Sequence, residues 1–88
     1  MIIVTIPAYN EGKTIGKVIE NIKEVMRKYR KKYKILVVDD GSQDNTAQIA
    51  RKAGAVAYSH AKNYGLAETF KTEIQKSLEL EADVIVHI

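Results

Sequence analysis

The chain has 88 residues, a net charge of +3 and a composition that is 45% hydrophobic and 28% charged, which is typical of one small globular domain. It contains no cysteine, which excludes disulfide bridges, thiolate nucleophiles and cysteine-ligated metal centres. No apolar run approaches the roughly 20 residues of a membrane-spanning helix, and the first residues have neither the basic start nor the cleavage site of a signal peptide.

Four short runs rich in β-branched residues predict strands at residues 2–6, 34–38, 55–59 and 83–88. The second run contains Ile35, Leu36, Val37 and Val38 without polar alternation. Strands of this kind are buried on both faces, as in a parallel sheet that helices cover.

Segments with helical periodicity separate these strands. The first helix carries an apolar stripe of about four to five turns: Ile15, Val18, Ile19, Ile22, Met26 and Tyr29. The second helix is predicted at 46–53, with Gly54 as its C′ residue and Ser42, Asp44 or Asn45 as its cap. The third follows Gly65, and one of its faces is marked by Ala67, Phe70, Ile74 and Leu78.

The order β-α-β-α-β-α-β predicts an α/β fold with parallel strands and right-handed crossovers. Ligands of such open sheets bind beyond the carboxyl ends of the strands. Three polar segments follow strand ends, at residues 7–12, 39–44 and 60–65. We therefore expect all three to converge on one edge of the sheet.

In the first segment, Pro7 lacks a backbone donor and is expected to end the strand. Tyr9 offers a flat ring that suits stacking on a base. Asn10 and Glu11 lie near the start of the first helix, where free backbone N–H groups favour phosphate. The alternative is a plain strand-to-helix turn with Asn10 as its cap.

In the second segment, Asp39 and Asp40 place two adjacent carboxylates after a buried strand, where they need partners. One such partner is the ring N–H of uracil or guanine. The alternatives are a capping turn that uses one Asp, or a magnesium pair of the receiver-domain kind, which usually follows the first strand. In the third segment, Lys62 is a candidate neighbour of a diphosphate, and His60 is expected to be a loop residue. His87, in the last strand, is expected to be buried and hydrogen-bonded.

Six of the fourteen basic residues lie between Arg27 and Lys34. They suit a solvated helix end, or contact with anionic lipid headgroups, with nucleic acid as a weaker alternative. The sequence has no dinucleotide fingerprint, P-loop, G-x-S-x-G or H-E-x-x-H motif.

Two motifs and a loop, taken together, resemble one known family. VTIPAYNE at 4–11, ILVVDDGSQDNT at 35–46 and the loop 60–65 resemble the inverting family 2 glycosyltransferases of the GT-A fold. Dolichyl-phosphate mannosyl- and glucosyl-transferases belong to this group. The resemblance extends along all 88 residues.

The resemblance implies a three-layer, Rossmann-like half domain with a four-stranded parallel sheet of order 3-2-1-4 and helices on both faces. It implies that Pro7, Ala8, Tyr9 and Glu11 border the nucleoside of a UDP- or GDP-sugar donor. Asp40 would bind the base edge, Asp39 would support that loop or the ribose, and Lys62 would lie near the diphosphate.

One departure from the family pattern concerns the chemistry. In the family, the fourth strand leads into a D-x-D motif that holds Mg²⁺ or Mn²⁺, whereas this chain ends at Ile88, where that motif should begin. We therefore expect residues 1–88 to be one truncated domain that binds no metal alone, has no catalytic residue and transfers no sugar.

The resemblance and the open edge of the fourth strand lead to further expectations. The full enzyme would have a possible lipid-phosphate acceptor and a place in the cytoplasm or on the cytoplasmic face of a membrane. We expect no nucleic-acid partner, and a homodimer through the exposed edge of the fourth strand. The alternative function is a non-catalytic nucleotide-binding or receiver-like module.

Overall fold

The computed structural model describes residues 1–88. Strands and helices alternate along the chain: β1 (Ile2–Ala8), α1 (Ile15–Arg27), β2 (Tyr33–Asp39), α2 (Thr46–Lys52), β3 (Val56–Ser59), α3 (Leu66–Glu79) and β4 (Val84–His87). Every predicted element is present, and the observed bounds differ from the predicted ones by at most two residues.

The four strands form one parallel sheet of order β3-β2-β1-β4, which confirms the predicted order. The central pair has the longest register, from Ile2 opposite Tyr33 to Ala8 opposite Asp39. β3 and β4 are short and form the two edges. β1 and β2 therefore carry the carboxyl-terminal rim of the sheet, where the first two polar segments begin.

Pro7 does not end β1, so that prediction is wrong. The ladder with β2 continues through Pro7 opposite Val38 and Ala8 opposite Asp39. The Thr5 carbonyl accepts a hydrogen bond from the Ile88 amide (3.0 Å), so the backbone N–H and C=O groups of Thr5 point towards the β4 side. Pro7 lies two residues further along the strand, and its backbone therefore points to the same side. Since the register with β4 stops at Thr5, the missing N–H of Pro7 lies beyond the end of that ladder.

The core has two parts, one on each face of the sheet, so helices cover both faces as predicted. α1 and α2 cover the larger part, which consists of Val4, Ile6, Ala8, Ile15, Ile19, Ile35, Val37, Ala50 and Ala55. The smaller part lies on the opposite face, where Leu80 and Ala82, just after α3, pack against Ile3, Leu36 and Val38. The result is the three-layer α/β architecture expected from the sequence.

α3 turns polar residues towards the sheet and leaves its apolar stripe outside. Thr69, Glu73 and Ser77 are no more than 1% exposed. The exposed apolar positions are Leu66, Phe70, Ile74 and Leu78, which range from 38% to 79%. The Phe70 ring lies 5.4 Å from the His87 ring, so the stripe runs above the open edge of β4.

His87 is hydrogen-bonded, as predicted, but it is not buried. Its side chain is 46% exposed, and Nδ1 lies 2.8 Å from Oε1 of the buried Glu73. The reason is its place on the last strand, where no neighbour covers the outer side.

The basic segment lies at the other end of the sheet. All six of its basic side chains are exposed, and they run from the end of α1 to the start of β2. This is the amino-terminal edge of the sheet, away from the three polar segments. No helix has both the length and the apolar character that crossing a membrane requires.

Candidate functional site

The first two polar segments are docked onto each other at the carboxyl ends of β1 and β2. The Asn10 amide donates to Ser42 Oγ (2.7 Å), and the Gln43 amide donates to Asn10 Oδ1 (2.8 Å). Asn10 adopts φ of 51°, a left-handed conformation that Asn tolerates better than most residues. This reciprocal pair fixes the turn that presents Tyr9.

The backbone amides of Glu11 and Gly12, which lie between β1 and α1, already donate hydrogen bonds to side chains. Glu11 N–H donates to Thr46 Oγ1 (2.9 Å), and Gly12 N–H donates to Asp44 Oδ2 (3.0 Å). The Thr46 hydroxyl and amide in turn donate to Asp44 Oδ1. The prediction of free N–H groups for phosphate is therefore wrong for Glu11 and Gly12, because the α2 loop uses them.

These contacts also act on Asp44. The hydrogen bond from the Thr46 hydroxyl, together with those from backbone amides, holds the pKa of Asp44 below its ordinary value. Asn45 is the N-cap residue of α2 but makes no side-chain capping bond. Asp44, one of the three predicted capping residues, satisfies the Thr46 amide instead.

Asp39 is buried and holds the rim together. Oδ1 accepts a hydrogen bond from the Ser42 amide (3.0 Å), and Oδ2 accepts one from the Ser59 hydroxyl (3.0 Å). The carboxylate thus ties the turn after β2 to the end of β3. It does not face the cavity described below.

Asp40 organises the third segment. Its Oδ1 accepts from the Tyr64 amide (2.9 Å) and lies 2.8 Å from His60 Nδ1, and its Oδ2 accepts from the Gly65 amide (2.9 Å). Burial raises the pKa of Asp40, but the hydrogen bonds from His60, Tyr64 and Gly65 and the charge that His60 can carry outweigh burial and hold it below its ordinary value. Asp40 is therefore a carboxylate that anchors the loop 60–65.

Gly41 allows the second and third segments to touch. It has φ of +75°, and a Cβ atom there would lie 2.7 Å from both Lys62 Cα and Asn63 N. No real Cβ atom tolerates such a separation from a backbone, so a side chain would force the two loops apart. The close approach of these loops closes one wall of a cavity.

The cavity has a volume of about 310 Å³ and opens at the carboxyl-terminal rim. Its lining consists of Pro7, Ala8, Tyr9, Glu11, Asp40, Asn63, Gly65, Leu66 and Thr69. This volume is at the lower end of the range for small-molecule pockets. Tyr9 is 43% exposed, so its ring is accessible from the opening.

The cavity unites five of the seven residues predicted to bind a nucleotide sugar: Pro7, Ala8, Tyr9, Glu11 and Asp40. Asp39 and Lys62 are not in its lining. Lys62 is exposed on the loop, with Nζ 5.8 Å from the centre of the Tyr64 ring. Tyr9 and Asp40, which the predicted pocket requires on one side of the molecule, share a single cavity.

Three positions at or beside the cavity were not predicted. Leu66 and Thr69 line the cavity from the first turn of α3, one helical turn apart, and the only sequence signal was their place directly after Gly65. His60 was expected to be an ordinary loop residue, but its side chain is only 8% exposed and bridges Asp40 and Thr72. No local pattern reveals such a bridge.

The residues do not fit a divalent cation. No group of three or more His, Asp or Glu side chains converges anywhere in the chain. Asp39 and Asp40 are adjacent, but hydrogen bonds from amides and side chains occupy oxygens of both. This arrangement differs from the pair of free carboxylates that the receiver-domain alternative needs.

A parallel α/β sheet covered by helices on both faces, with a cavity at its carboxyl-terminal strand ends that includes an accessible aromatic ring, defines the three-layer class of nucleotide-binding domains. The sequence agrees with this class, because residues 3–79 match the family described as glycosyl transferase family 2. The chain belongs to that family.

Similar proteins agree with this assignment. The chain is 32% identical over 103 residues to UDP-N-acetylglucosamine–dolichyl-phosphate N-acetylglucosaminyltransferase of Methanococcus voltae, covering 98% of this chain and 39% of the relative.

Two solved structures superpose with a TM-score of 0.75 each. Glucosyl-3-phosphoglycerate synthase of Mycobacterium tuberculosis, in complex with Mn²⁺, UDP and glucosyl-3-phosphoglycerate, is 29% identical, and the match covers 100% of this chain and 32% of that one. Mannosyltransferase PcManGT of Pyrobaculum calidifontis, in complex with GDP-Man and Mn²⁺, is 28% identical, with coverage of 85% and 24%. These neighbours are GT-A glycosyltransferases. The chain spans 27% to 39% of the length of the curated relatives that it matches first.

Proposed function

We propose that this chain binds the nucleotide of a UDP- or GDP-sugar and forms the donor-binding part of an inverting glycosyltransferase. The observation that carries the proposal is the single cavity in which Tyr9, Glu11 and Asp40 meet. The ligands of the two solved neighbours, UDP in one and GDP-Man in the other, support the choice of nucleotides.

The cavity offers the two kinds of contact that a nucleobase needs. The exposed Tyr9 ring can stack on a base, an interaction worth about 1–3 kcal/mol. A carboxylate has about four lone-pair sites, and three groups already donate to Asp40. The remaining site can accept the ring N–H of uracil or guanine, in a cavity whose lining also includes the apolar residues Pro7, Ala8 and Leu66.

The other predicted residues act from the rim. Asp39 supports the site indirectly, through its bonds to Ser42 and Ser59. Lys62 lies on the loop next to the cavity residue Asn63 and has no ion pair, so a change of its rotamer can bring Nζ towards a diphosphate. Glu11 lines the cavity beside the proposed nucleoside, and its carboxylate accepts a hydrogen bond from the Thr14 hydroxyl (3.1 Å).

We further propose that residues 1–88 bind the donor without transferring the sugar. Transfer requires a general base for the acceptor hydroxyl and positive charge to offset the leaving diphosphate. Of the two cavity carboxylates, Asp40 is engaged by the loop and Glu11 is engaged by the Thr14 hydroxyl, and no side chains form a metal site. Mg²⁺ or Mn²⁺ belongs to the complete enzyme in this proposal, in line with the Mn²⁺ in both solved neighbours.

A lipid phosphate is the acceptor that we propose for the complete enzyme, by analogy with the dolichyl-phosphate relative. Six exposed basic residues at 27–34 suit anionic headgroups, although they lie at the edge of the sheet opposite the cavity. They would therefore hold the domain on a cytoplasmic membrane face and would not touch the reacting phosphate.

Calorimetry with UDP and GDP, each with and without Mn²⁺, tests the proposed function. We expect binding of at least one nucleotide without metal, and a loss of about tenfold in affinity for Tyr9→Ala. Tyr29→Ala, at an exposed tyrosine outside the cavity, is the matched control. Mg²⁺ binding without nucleotide binding would support the receiver-like alternative and refute the proposal, and measurable sugar transfer would refute only the inactivity.

We also propose that two copies of the chain associate through the outer edge of β4. That edge strand has no lysine, proline or bulge to prevent pairing, and all four of its residues are exposed. Apolar residues border it on both faces of the sheet: the α3 stripe, and on the other side a groove of about 250 Å³ between α1 and β4 that includes Val25, Val86 and Ile88.

A twofold axis perpendicular to the sheet would pair β4 with its copy and bring the two α3 stripes together on one face. We expect a dimer in sedimentation experiments, and a monomer after Ile85→Lys. Val56→Lys, on the outer strand at the opposite edge, is the matched control and should leave the dimer intact. A wild-type monomer at high concentration would refute the dimer.

A further inference from the structure

His60 occupies a central position between the cavity and α3. It follows β3 directly, and its amide donates to the Asp39 carbonyl (2.8 Å), which fixes its backbone at the rim. Its ring nitrogens lie 2.8 Å from Asp40 Oδ1 and 2.8 Å from Thr72 Oγ1. The rings of Tyr58 and Tyr64 contact it edge-on, so the imidazole is held in one orientation.

The donors and acceptors available in this bridge favour a His60 ring that is protonated on both nitrogens. Asp40 is a carboxylate and can only accept, so His60 Nδ1 must carry a proton. The Thr72 hydroxyl has one hydrogen, and it donates that hydrogen to the Glu68 carbonyl (3.0 Å). His60 Nε2 must then donate to Thr72 Oγ1, which requires a second ring proton. A neutral ring keeps the bridge only if Thr72 gives up its bond to Glu68.

Charged groups of both signs surround the ring, and only one of them contacts it. Asp39 and Asp40 lie at the end of β2, and Asp44 and Arg51 line the small cavity that His60 shares with Asp39. On α3, Lys76 lies over Tyr58, and Glu68 pairs with Lys71 at the surface. Lys62, in the same loop, points towards Tyr64. Asp40 is the only charged group in hydrogen-bond contact with the ring.

We propose that His60 is the positioning residue of the nucleotide cavity. With both ring nitrogens protonated, it ties Asp40 to α3 and holds the loop 60–65 against the turn at Gly41. The inference deepens the proposed function and rests on it, because the affinity for the nucleotide should follow the protonation of His60. Loss of one ring proton removes the charge beside Asp40 and breaks one bond of the bridge, so the cavity loosens as the pH rises.

The first experiment measures the affinity for UDP-glucose and for GDP-mannose across the pH range in which the chain stays folded, with the NMR signals of the His60 ring reporting its protonation at each pH. We expect the wild-type affinity to fall about tenfold across this range, the factor that corresponds to the loss of one charged hydrogen bond. His60→Asn keeps a donor at the position of Nδ1 but cannot titrate, so its affinity should not change with pH. His60→Leu should bind weakly at every pH.

Thr72 provides a second, more distant test of the same bridge. Thr72→Val removes the acceptor for Nε2–H without touching the cavity, and should reduce the pH response, whereas Thr72→Ser should restore it. A structural role of His60 alone would lower stability in these variants but would not flatten the pH profile. Equal pH profiles in wild type and His60→Asn would overturn the inference while leaving nucleotide binding intact.

The second experiment needs no nucleotide, so it separates a failure of this inference from a failure of the proposed function. The Tyr64 and Gly65 amides both donate to Asp40, so their NMR shifts should titrate together with the His60 ring signals in the wild type. In His60→Asn they should not titrate in this range. If the two amides do not follow the His60 ring in the wild type, the positioning role is wrong, whether or not a nucleotide binds.

Discussion

Gly41→Ala tests the idea that close contact between two loops builds the cavity. The backbone of Gly41 has φ of +75°, a left-handed conformation that costs an L-residue about 1–2 kcal/mol. The new Cβ would also lie 2.7 Å from Lys62 Cα and from Asn63 N. Both of these are backbone atoms, so the overlap cannot be relieved by rotating a side chain.

The expected loss can be worked out from these two effects. Moving a packed segment to admit one methyl group costs about 1–3 kcal/mol, which, added to the backbone conformation, gives a total of about 2–5 kcal/mol. The free energy of unfolding expected for a domain of this size is about 4–13 kcal/mol. Gly41→Ala should thus remove a large share of it, and should also pull Tyr64 and Gly65 away from Asp40.

Urea denaturation and nucleotide calorimetry measure the two consequences, and Gly54→Ala is the matched control. Gly54 also has a positive φ (+100°), but the nearest atom to its Cβ would be the flexible Lys23 Nζ at 3.4 Å. We expect Gly54→Ala to lose only about 1–2 kcal/mol and to bind nucleotide normally. If both variants lose the same stability, or if Gly41→Ala binds nucleotide like the wild type, the loop contact does not build the cavity.

Further predictions concern one cavity residue and one buried acid. Because the pKa of Asp40 in the folded chain lies below 3.8, its ionised form stabilises the fold above pH 3.8, and this contribution is lost as the pH falls below that value. In a plot of the urea midpoint against pH, Asp40→Asn should therefore have a smaller slope at acid pH than the wild type. An unchanged slope would contradict this prediction. Glu73 is buried with Oε2 unpartnered, and its partner His87 is 46% exposed and can be solvated without it, so Glu73→Leu should raise the free energy of unfolding by about 1 kcal/mol. Glu68→Leu, on the exposed side of α3, should change it by less than about 0.5 kcal/mol, and a loss of stability in Glu73→Leu would show that the pair with His87 is favourable.

Much of the site followed from the order of the elements. Alternating strands and helices dictate parallel pairing, and parallel strands bring their carboxyl ends to one edge. Five of the seven predicted residues therefore line one cavity. Lys62 does not, because the direction of an exposed side chain on a loop depends on neighbours such as Tyr64.

The sequence by itself determined the alternation of elements and the edge at which polar residues collect, because both follow from hydrophobic periodicity and local turn chemistry. The strand order was implied by the resemblance of its motifs to a known family. Only the tertiary structure decided that Pro7 stays within β1, that α3 buries Thr69, Glu73 and Ser77, and that His60 bridges Asp40 and Thr72. These features depend on which distant residues come within hydrogen-bond or packing distance, and no pattern of neighbouring residues contains that information.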